Sequence, residues 1–159
     1  MEKNIQKTVE LYQKAAEQGL TEAQFNLGYC YQFGDGVEKN IQKTVELYQK
    51  AAEQGYAIAQ CNLGICYWDG TGVEKNIQRA LDLYQKATEQ GYAKAQYNLG
   101  VCYENEIEVE KNIQKAVELY QKATEQGYAR AQNNLAVCYE YGTGVAKNSK
   151  SSYAVSESS

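Results

Sequence analysis

The 159-residue sequence contains no histidine and no proline. Histidine is the side chain that most often serves as acid, base or metal ligand near neutral pH, and proline is the strongest breaker of helices. Their absence disfavours metal centres and catalysis by proton transfer, and it removes the usual interruption of helical segments. We therefore predict a mainly helical protein that is not an enzyme and that binds no cofactor and no metal.

Long apolar runs and clusters of basic residues are missing as well. No stretch approaches the ~20 apolar residues of a membrane span, and the N-terminus lacks the apolar segment of a secretory signal. The 16 Lys and Arg residues are dispersed among 20 Asp and Glu, which leaves a net charge of −4 and no electrostatic footprint for nucleic acid. These observations predict a cytoplasmic protein in a reducing compartment, without membrane insertion and without a nucleic-acid partner.

One block of residues is written four times in this chain, almost without change. A fixed period of this length is typical of a solenoid, in which each unit buries its apolar face only by stacking on its neighbours. We expect the residues after the fourth block to form an incomplete fifth repeat with a frayed, serine-rich tail, as in a piece of a longer array or a truncated gene product. The predicted repeats are 2–37, 38–73, 74–109 and 110–145, and the tail is 146–159.

Each block predicts two short antiparallel helices. In the first, helix A, an apolar stripe runs from Ile5 to Ala16, with Asn4 as the N-cap and Gly19 as the left-handed residue past the end. The second, helix B, stops at the turn Gly34-Asp35-Gly36. Four such hairpins in series predict an all-α fold, a right-handed α/α superhelix of four tandem helix-turn-helix repeats.

A set of small, polar and aromatic positions recurs in all four blocks. In the second block these residues are Lys50, Ala51, Ala52, Glu53, Gln54, Gly55, Ala57, Ala59, Gln60, Leu63, Gly64, Tyr67, Gly70, Gly72 and Val73. This set resembles the Sel-1-like repeat family over residues 2–145, and the lead into helix A, Gly-Val-Glu-Lys-Asn, is similar to the fungal style of the repeat. The resemblance implies an α/α solenoid that acts as a scaffold or adaptor for protein complexes, and it brings no shared catalytic residues.

Three positions inside helix B recur for reasons that we interpret as structural. A helical glycine costs ~1 kcal/mol relative to alanine, so we expect a close approach of helix A, through Ala15 or Ala16, to offset that cost. The tyrosine series is predicted to pack in the core with a hydrogen-bonded hydroxyl, and the asparagine series to bond to the backbone. These residues are Gly28, Gly64 and Gly100; Tyr31, Tyr67, Tyr103 and Tyr139; and Asn26, Asn62, Asn98 and Asn134.

The five cysteines are interpreted as buried free thiols. Four occupy one equivalent position on successive helices B, which lie too far apart for a disulfide, and Cys61 is the fifth. Without histidine or a Cys-x-x-Cys pair, zinc binding is disfavoured. A bacterial cysteine-rich branch of the family pairs its cysteines in each repeat, and this chain departs from that pattern.

The third block differs at the turn after helix B, where Glu106-Ile107-Glu108 replaces Gly-x-Gly. Because glutamate is poorly suited to positive φ, we expect this turn to take another path. The substitution also gathers acidic residues at one place, which is either simple divergence or a dock for a basic partner.

Two surfaces are candidates for binding other proteins or peptides. Helix B carries aromatic residues on what we predict to be the convex face: Phe25, Tyr29, Phe33, Trp68 and Tyr97. Helix A presents nearly the same polar residues in every block on the predicted concave face, including Lys14, Lys50, Lys86 and Lys122. An exposed Trp68 is the sharpest probe of the first surface, and a repetitive or extended ligand would suit the second.

The function predicted from the sequence is that of a non-catalytic protein-binding scaffold. Two alternatives remain open. The chain is either the adaptor segment of a larger signalling protein, for instance one with a kinase domain, or a hydrolase like some relatives in the bacterial cysteine-rich branch. The lack of any nucleophile and base pair argues against the hydrolase.

Overall fold

The computed structural model describes residues 4–144, which form eight α-helices. The chain divides into two compact units, Met1–Ala87 and Thr88–Ser159. Helices A and B alternate as the sequence predicts, and the fifth block and its tail lie outside the described residues. The helices are α1 (Ile5–Glu17), α2 (Thr21–Phe33), α3 (Ile41–Glu53), α4 (Ala57–Asp69), α5 (Ile77–Glu89), α6 (Ala93–Glu104), α7 (Ile113–Glu125) and α8 (Ala129–Tyr141).

The helix-end signals in the sequence are confirmed. In every block an asparagine side chain accepts a hydrogen bond from the backbone N–H three residues later, as Asn4 does from Lys7 at 3.1 Å. Helix A is followed by a glycine of positive φ, which is 89° at both Gly19 and Gly55. Local sequence therefore sets where each helix A begins and ends.

The core of each unit lies between helices A and B. In the first unit, Tyr48, Ala51, Ala59 and Leu63 are fully buried at the contact of α3 with α4. In the second unit, Ala116, Tyr120, Ala123 and Ala131 are buried in the same way between α7 and α8. Small alanines let the paired helices approach, while the tyrosine rings fill the space toward the preceding repeat.

The glycines inside helix B face a partner other than the predicted one. A Cβ built at Gly28 would lie 2.9 Å from Cε1 of Tyr48, and one built at Gly100 would lie 2.7 Å from Cε1 of Tyr120. Gly64 meets Tyr84 in the same way, at 2.8 Å. The prediction of Ala15 or Ala16 as the close neighbour was wrong, because the glycine makes room for the tyrosine of the next repeat's helix A.

We call this contact of a helix B with the next helix A the inter-repeat joint. At the first joint the Tyr48 hydroxyl donates a hydrogen bond to Oε1 of Gln32 at 2.7 Å and is also bonded to Asn62. At the third joint the Tyr120 hydroxyl donates to Oε1 of Glu104 at 2.6 Å and is bonded to Asn134. Asn62 and Asn134 thus have tyrosine partners that the prediction did not name, and the bonding of the asparagine series to the backbone stays a prediction.

Buried glutamines at the joints escaped the sequence analysis. Gln24, Gln60 and Gln96 are each at most 5% exposed. The Gln54 side chain donates to Oε1 of Gln24 at 2.7 Å, which ties the end of α3 to α2. Because glutamine is rarely buried without partners, its recurrence at one position of an apolar helix is a signal that could have found this contact.

The turn of the third block keeps the path of the other turns. Glu106 and Glu108 have φ values of 54° and 55°, close to the left-handed region occupied by Gly34 and Gly36 at 72° and 74°. The expectation that the glutamates divert the turn was wrong. The backbone adopts the conformation that the repeat requires, although a side chain makes it costly.

Candidate protein-binding surfaces

The polar face of helix A presents similar side chains in every repeat. The four predicted lysines are all exposed and stand in the last turn of their helices. Beside them the Gln13 amide donates to Glu17 at 2.9 Å, and the Gln49 amide donates to Glu53 at 3.0 Å. We call this surface of each unit its A face: Lys14, Lys50 and Lys86 in the first unit and Lys122 in the second, with the neighbouring Gln and Glu residues.

A recess opens on the A face of the first unit between α3 and α5. Its volume is about 160 Å³, and its wall carries side chains of both signs together with amide groups. Such a lining can pair with the N–H and C=O groups of an extended peptide and with its charged side chains. The residues around it are Gln49, Ala52, Glu53, Arg79, Asp82, Leu83 and Lys86.

Three of the five aromatic residues predicted on the convex face are packed at joints. The Phe25 ring stacks on Tyr48 with centroids 5.1 Å apart, and the Tyr97 ring lies 5.9 Å from that of Tyr120. Trp68 is half-buried, with its ring 6.3 Å from that of Tyr84. The expectation that Trp68 is exposed was wrong, since each of these rings covers the tyrosine of the next helix A.

The other two aromatic residues do lie on the surface. Tyr29 and Phe33 are 46% and 56% exposed, and their ring centroids are 4.7 Å apart on α2. They form an apolar pair that the second and third repeats lack, because Ile65 and Val101 replace Tyr29 there and Asp69 and Asn105 replace Phe33. We call Tyr29 and Phe33 the aromatic pair.

The tyrosines that recur on helix B contact basic side chains through their rings. Tyr31, Tyr67 and Tyr103 are half-buried, and in each case the cation of the next helix A lies over the ring. Lys43 stands 5.0 Å from the Tyr31 centroid and Arg79 stands 5.1 Å from that of Tyr67. This contact holds each joint at its edge and explains why a basic residue recurs in the first turn of helix A.

Shifted pKa values mark the core and the joints. Burial raises the pKa of the Cys66 thiol and that of the Cys102 thiol to about 11 each. Burial is also the main cause that raises the pKa of the Tyr48 and Tyr120 hydroxyls. All five cysteines are buried free thiols. The raised pKa keeps the Cys66 and Cys102 thiols protonated near neutral pH, in the form least suited to nucleophilic chemistry.

Within residues 4–144 no three His, Cys, Asp or Glu side chains come together as ligands for a metal ion. None of the helices in that range combines the length and the apolar character needed to cross a membrane.

The sequence-family model of the Sel1 repeat matches five segments of the chain: 1–20, 21–56, 57–92, 93–128 and 129–154. The chain belongs to the Sel1 repeat family. Each of the three complete segments contains a helix B and the helix A that follows it, so this repeat unit is the inter-repeat joint itself. Among curated proteins, none matches the chain.

Two solved Sel1 structures share the fold and much of the sequence. A Sel1 repeat protein from Oxalobacter formigenes is 38% identical with a TM-score of 0.84, over 89% of this chain and 58% of that one. The protective antigen c5321 of uropathogenic Escherichia coli, described as displaying an SLR fold, is 38% identical with a TM-score of 0.82. That match covers 90% of this chain and 31% of the antigen, so the chain spans less than two thirds of the length of either relative.

Helicobacter pylori cysteine rich protein B is similar over a shorter stretch. It is 30% identical with a TM-score of 0.56, over 58% of this chain and 70% of that protein. The predicted all-α solenoid of tandem helix-turn-helix repeats is confirmed by these neighbours. Since the relatives named here are bacterial, the fungal style of the repeat stays a prediction, as do the repeat boundaries given above.

Proposed function

We propose that this Sel1 repeat protein is a non-catalytic scaffold that binds other proteins or peptides through its A face. The observation that carries the proposal is the recess between α3 and α5, where acidic, basic and amide side chains of two successive helices A line one groove. The same side-chain types stand at the equivalent positions of α1, so an extended ligand would meet similar groups on the successive helices A of the first unit.

The distribution of aromatic residues supports the same choice. A binding surface on helix B would need its aromatic residues free to serve as anchors. Phe25, Trp68 and Tyr97 instead pack on tyrosines inside the joints, which leaves the aromatic pair as the exposed remnant of that surface. The aromatic pair is the competing site in the test below.

The proposal also includes a reducing, cytoplasmic location, which the five buried free thiols support. Membership of a larger signalling protein remains the alternative from the sequence. The length of the Oxalobacter formigenes and Escherichia coli relatives is compatible with it, because each extends well beyond the region that this chain matches.

The test is affinity capture with the full chain and matched charge variants. Lys50→Glu with Lys86→Glu reverses two exposed lysines of the A face, and the control Lys94→Glu with Arg130→Glu makes the same change in net charge on helices B. We expect the first pair to lose at least tenfold of the captured partner and the control pair to keep it, with unchanged circular dichroism for both.

A third variant, Tyr29→Ser with Phe33→Ser, tests the aromatic pair. Loss of the partner in this variant with retention in the Lys50 and Lys86 variant would move the site to helix B and contradict the proposal. Loss in the charge control as well would point to non-specific electrostatic capture, which also contradicts it.

A further inference from the structure

The acidic side chains on the A face of the first unit have hydrogen-bond donors on their own helices. The Glu53 carboxylate accepts from the Gln49 amide at 3.0 Å, and the Asp82 carboxylate accepts from the Gln78 amide at 3.3 Å. The Glu17 carboxylate of α1 has the same kind of donor at 2.9 Å. Neutral glutamines, and not the lysines beside them, therefore supply hydrogen bonds to these carboxylates.

The basic side chains of the same surface lack such partners. Within residues 4–144 no ion pair and no side-chain hydrogen bond is made by Lys14, Lys50 or Lys86. The Arg79 guanidinium has no acceptor in that range either, and its central carbon stands 5.1 Å from the Tyr67 ring centroid. A guanidinium held over a ring keeps the N–H groups at its edge available, in the fork that fits a carboxylate.

Arg79 stands where this edge can meet a ligand. It lines the recess between α3 and α5 together with Lys86. Ala52, which is buried, and Leu83, which is half-buried, supply an apolar part of the same wall. A charge-assisted hydrogen bond is stronger beside such a wall than in open water, because the local dielectric constant is lower.

The ring contact at the joint does not require an arginine. Lys43 and Lys115 take the equivalent place in the first and third joints, 5.0 Å and 5.2 Å from the Tyr31 and Tyr103 centroids. A lysine cation is therefore sufficient to hold the tyrosine. What Arg79 adds at the second joint is its planar fork of donors, directed at the recess.

We propose that the peptide bound by the A face of the first unit is acidic, and that Arg79 receives one of its carboxylates in the recess. This inference rests on the proposed function and adds the chemistry of the partner. The lysines on α1, α3 and α5 offer donors to further acidic side chains. Because packed helices lie ~10 Å apart and an extended chain rises ~3.3 Å per residue, acidic residues at every third position match this row.

Fluorescence anisotropy of labelled synthetic peptides with the full chain tests the proposal. The probe is a peptide of Gly and Ser with Glu at every third position, and two comparison peptides carry Gln or Lys in place of every Glu. We expect the Glu peptide to bind about tenfold tighter than the Gln peptide, and the Lys peptide to bind no better than the Gln peptide.

Three results with the peptides would overturn the proposal. They are no detectable binding of the Glu peptide, equal binding of the Glu and Gln peptides, and preference for the Lys peptide. A fourth peptide carries phosphoserine in place of the central Glu. If it binds more than about tenfold tighter than the Glu peptide, the recess selects phosphate, and the assignment to a carboxylate fails.

Arg79→Lys and Arg130→Lys are matched variants, because they replace the two arginines of the chain without changing its charge. We expect Arg79→Lys to weaken binding of the Glu peptide about fivefold through loss of the fork. Its denaturation midpoint should stay unchanged, since lysine holds the ring at the other two joints. Arg130→Lys, on helix B of the second unit, should bind like the natural chain. Natural affinity in Arg79→Lys, or equal weakening in both variants, would overturn the proposal.

The capture experiment of the preceding section separates this proposal from the proposed function. A partner that is lost from the Lys50 and Lys86 charge variant but fully retained by Arg79→Lys would keep the A face as the binding surface and would remove only the role of Arg79. A partner retained by the Lys50 and Lys86 variant would instead contradict the proposed function.

Discussion

The first and third inter-repeat joints have the same backbone and different chemistry. After α2, the Asp35 N–H donates to the Cys30 carbonyl at 3.0 Å and the Asn40 N–H donates to the Tyr31 carbonyl at 2.9 Å. After α6, the Ile107 N–H donates to the Cys102 carbonyl at 3.0 Å, and the Asn112 N–H donates to the Tyr103 carbonyl at 3.0 Å. Two equivalent pairs of hydrogen bonds thus hold two turns whose sequences differ at Gly34-Asp35-Gly36 and Glu106-Ile107-Glu108.

The backbone preference of the residues agrees with the packed conformation in the turn after α2 and disagrees with it in the turn after α6, the third turn. Gly34 and Gly36 accept positive φ without cost, whereas Glu106 and Glu108 pay ~1 to 2 kcal/mol each for the left-handed conformation. The third turn still follows the common path, so its energy comes from elsewhere. Docking of helix A on helix B through the glycine and tyrosine contact is the shared element that can supply it.

Replacing the glycine at each joint by leucine should have the largest effect on the free energy of unfolding. Gly28→Leu and Gly100→Leu should each destabilise the protein by more than ~2 kcal/mol, because the new side chain displaces the ring of Tyr48 or Tyr120. The gain in helix propensity, ~1 kcal/mol, does not offset this loss. Chemical denaturation measures both variants, with Tyr29→Leu at an exposed neighbouring position as the control.

Similar losses at the two sites would show that both joints rest on the same contact. A variant at Gly100 that unfolds at the same denaturant concentration as the natural chain would show that the third joint is held in another way, and the explanation given for its turn would fail.

Alkaline pH should lower the stability of the folded chain. The folded pKa of Cys66 and of Cys102 is about 11, against 9.0 for an ordinary thiol. Between these values the unfolded chain releases the thiol protons and the folded chain retains them, so stability falls as pH rises. Below pH 9 this contribution is fully present, and the raised pKa of Tyr48 and Tyr120 adds a loss in the same direction at still higher pH.

Denaturation midpoints at several pH values from 8 to 11 test this expectation. Replacing Cys102 by alanine removes one titrating group, so the variant should show a shallower decline than the natural chain. A decline equally steep in Cys102→Ala would assign the alkaline loss to groups other than the thiol.

The sequence predicts the helices well because their signals are local. The asparagine caps, the glycine ends and the apolar stripe of helix A depend on residues within one or two turns of each other. The partner of Gly28 is Tyr48, 20 residues away on helix A of the next repeat. The repeat boundaries predicted from the sequence instead pair Gly28 with helix A of its own block. Periodicity reveals which face of a helix is buried but not which neighbour buries it.

The same limit explains the result for the candidate surfaces. The lysines of the A face are found exposed, as their position opposite the apolar stripe of helix A indicates. Trp68 and Tyr97 vary between repeats and were therefore interpreted as surface residues. Their variation instead follows the packing of each joint, where phenylalanine, tryptophan and tyrosine cover a tyrosine ring in different ways.

The smallest change in stability is expected when glycine and glutamate are exchanged between the two turns. Glu106→Gly should stabilise the chain by about 0.5 to 1 kcal/mol, because relief of the left-handed conformation exceeds the entropy that glycine adds to the unfolded state. Gly34→Glu should cost a similar amount, and it is the matched converse because a Cβ at Gly34 meets no atom closer than 3.5 Å. The cost there is conformational, without a clash. Opposite shifts of the denaturation midpoint in the two variants would support docking as the force that holds the third turn. If Gly34→Glu were harmless, glutamate would fit this turn without strain, and the difference between the two joints would lie only in their side chains.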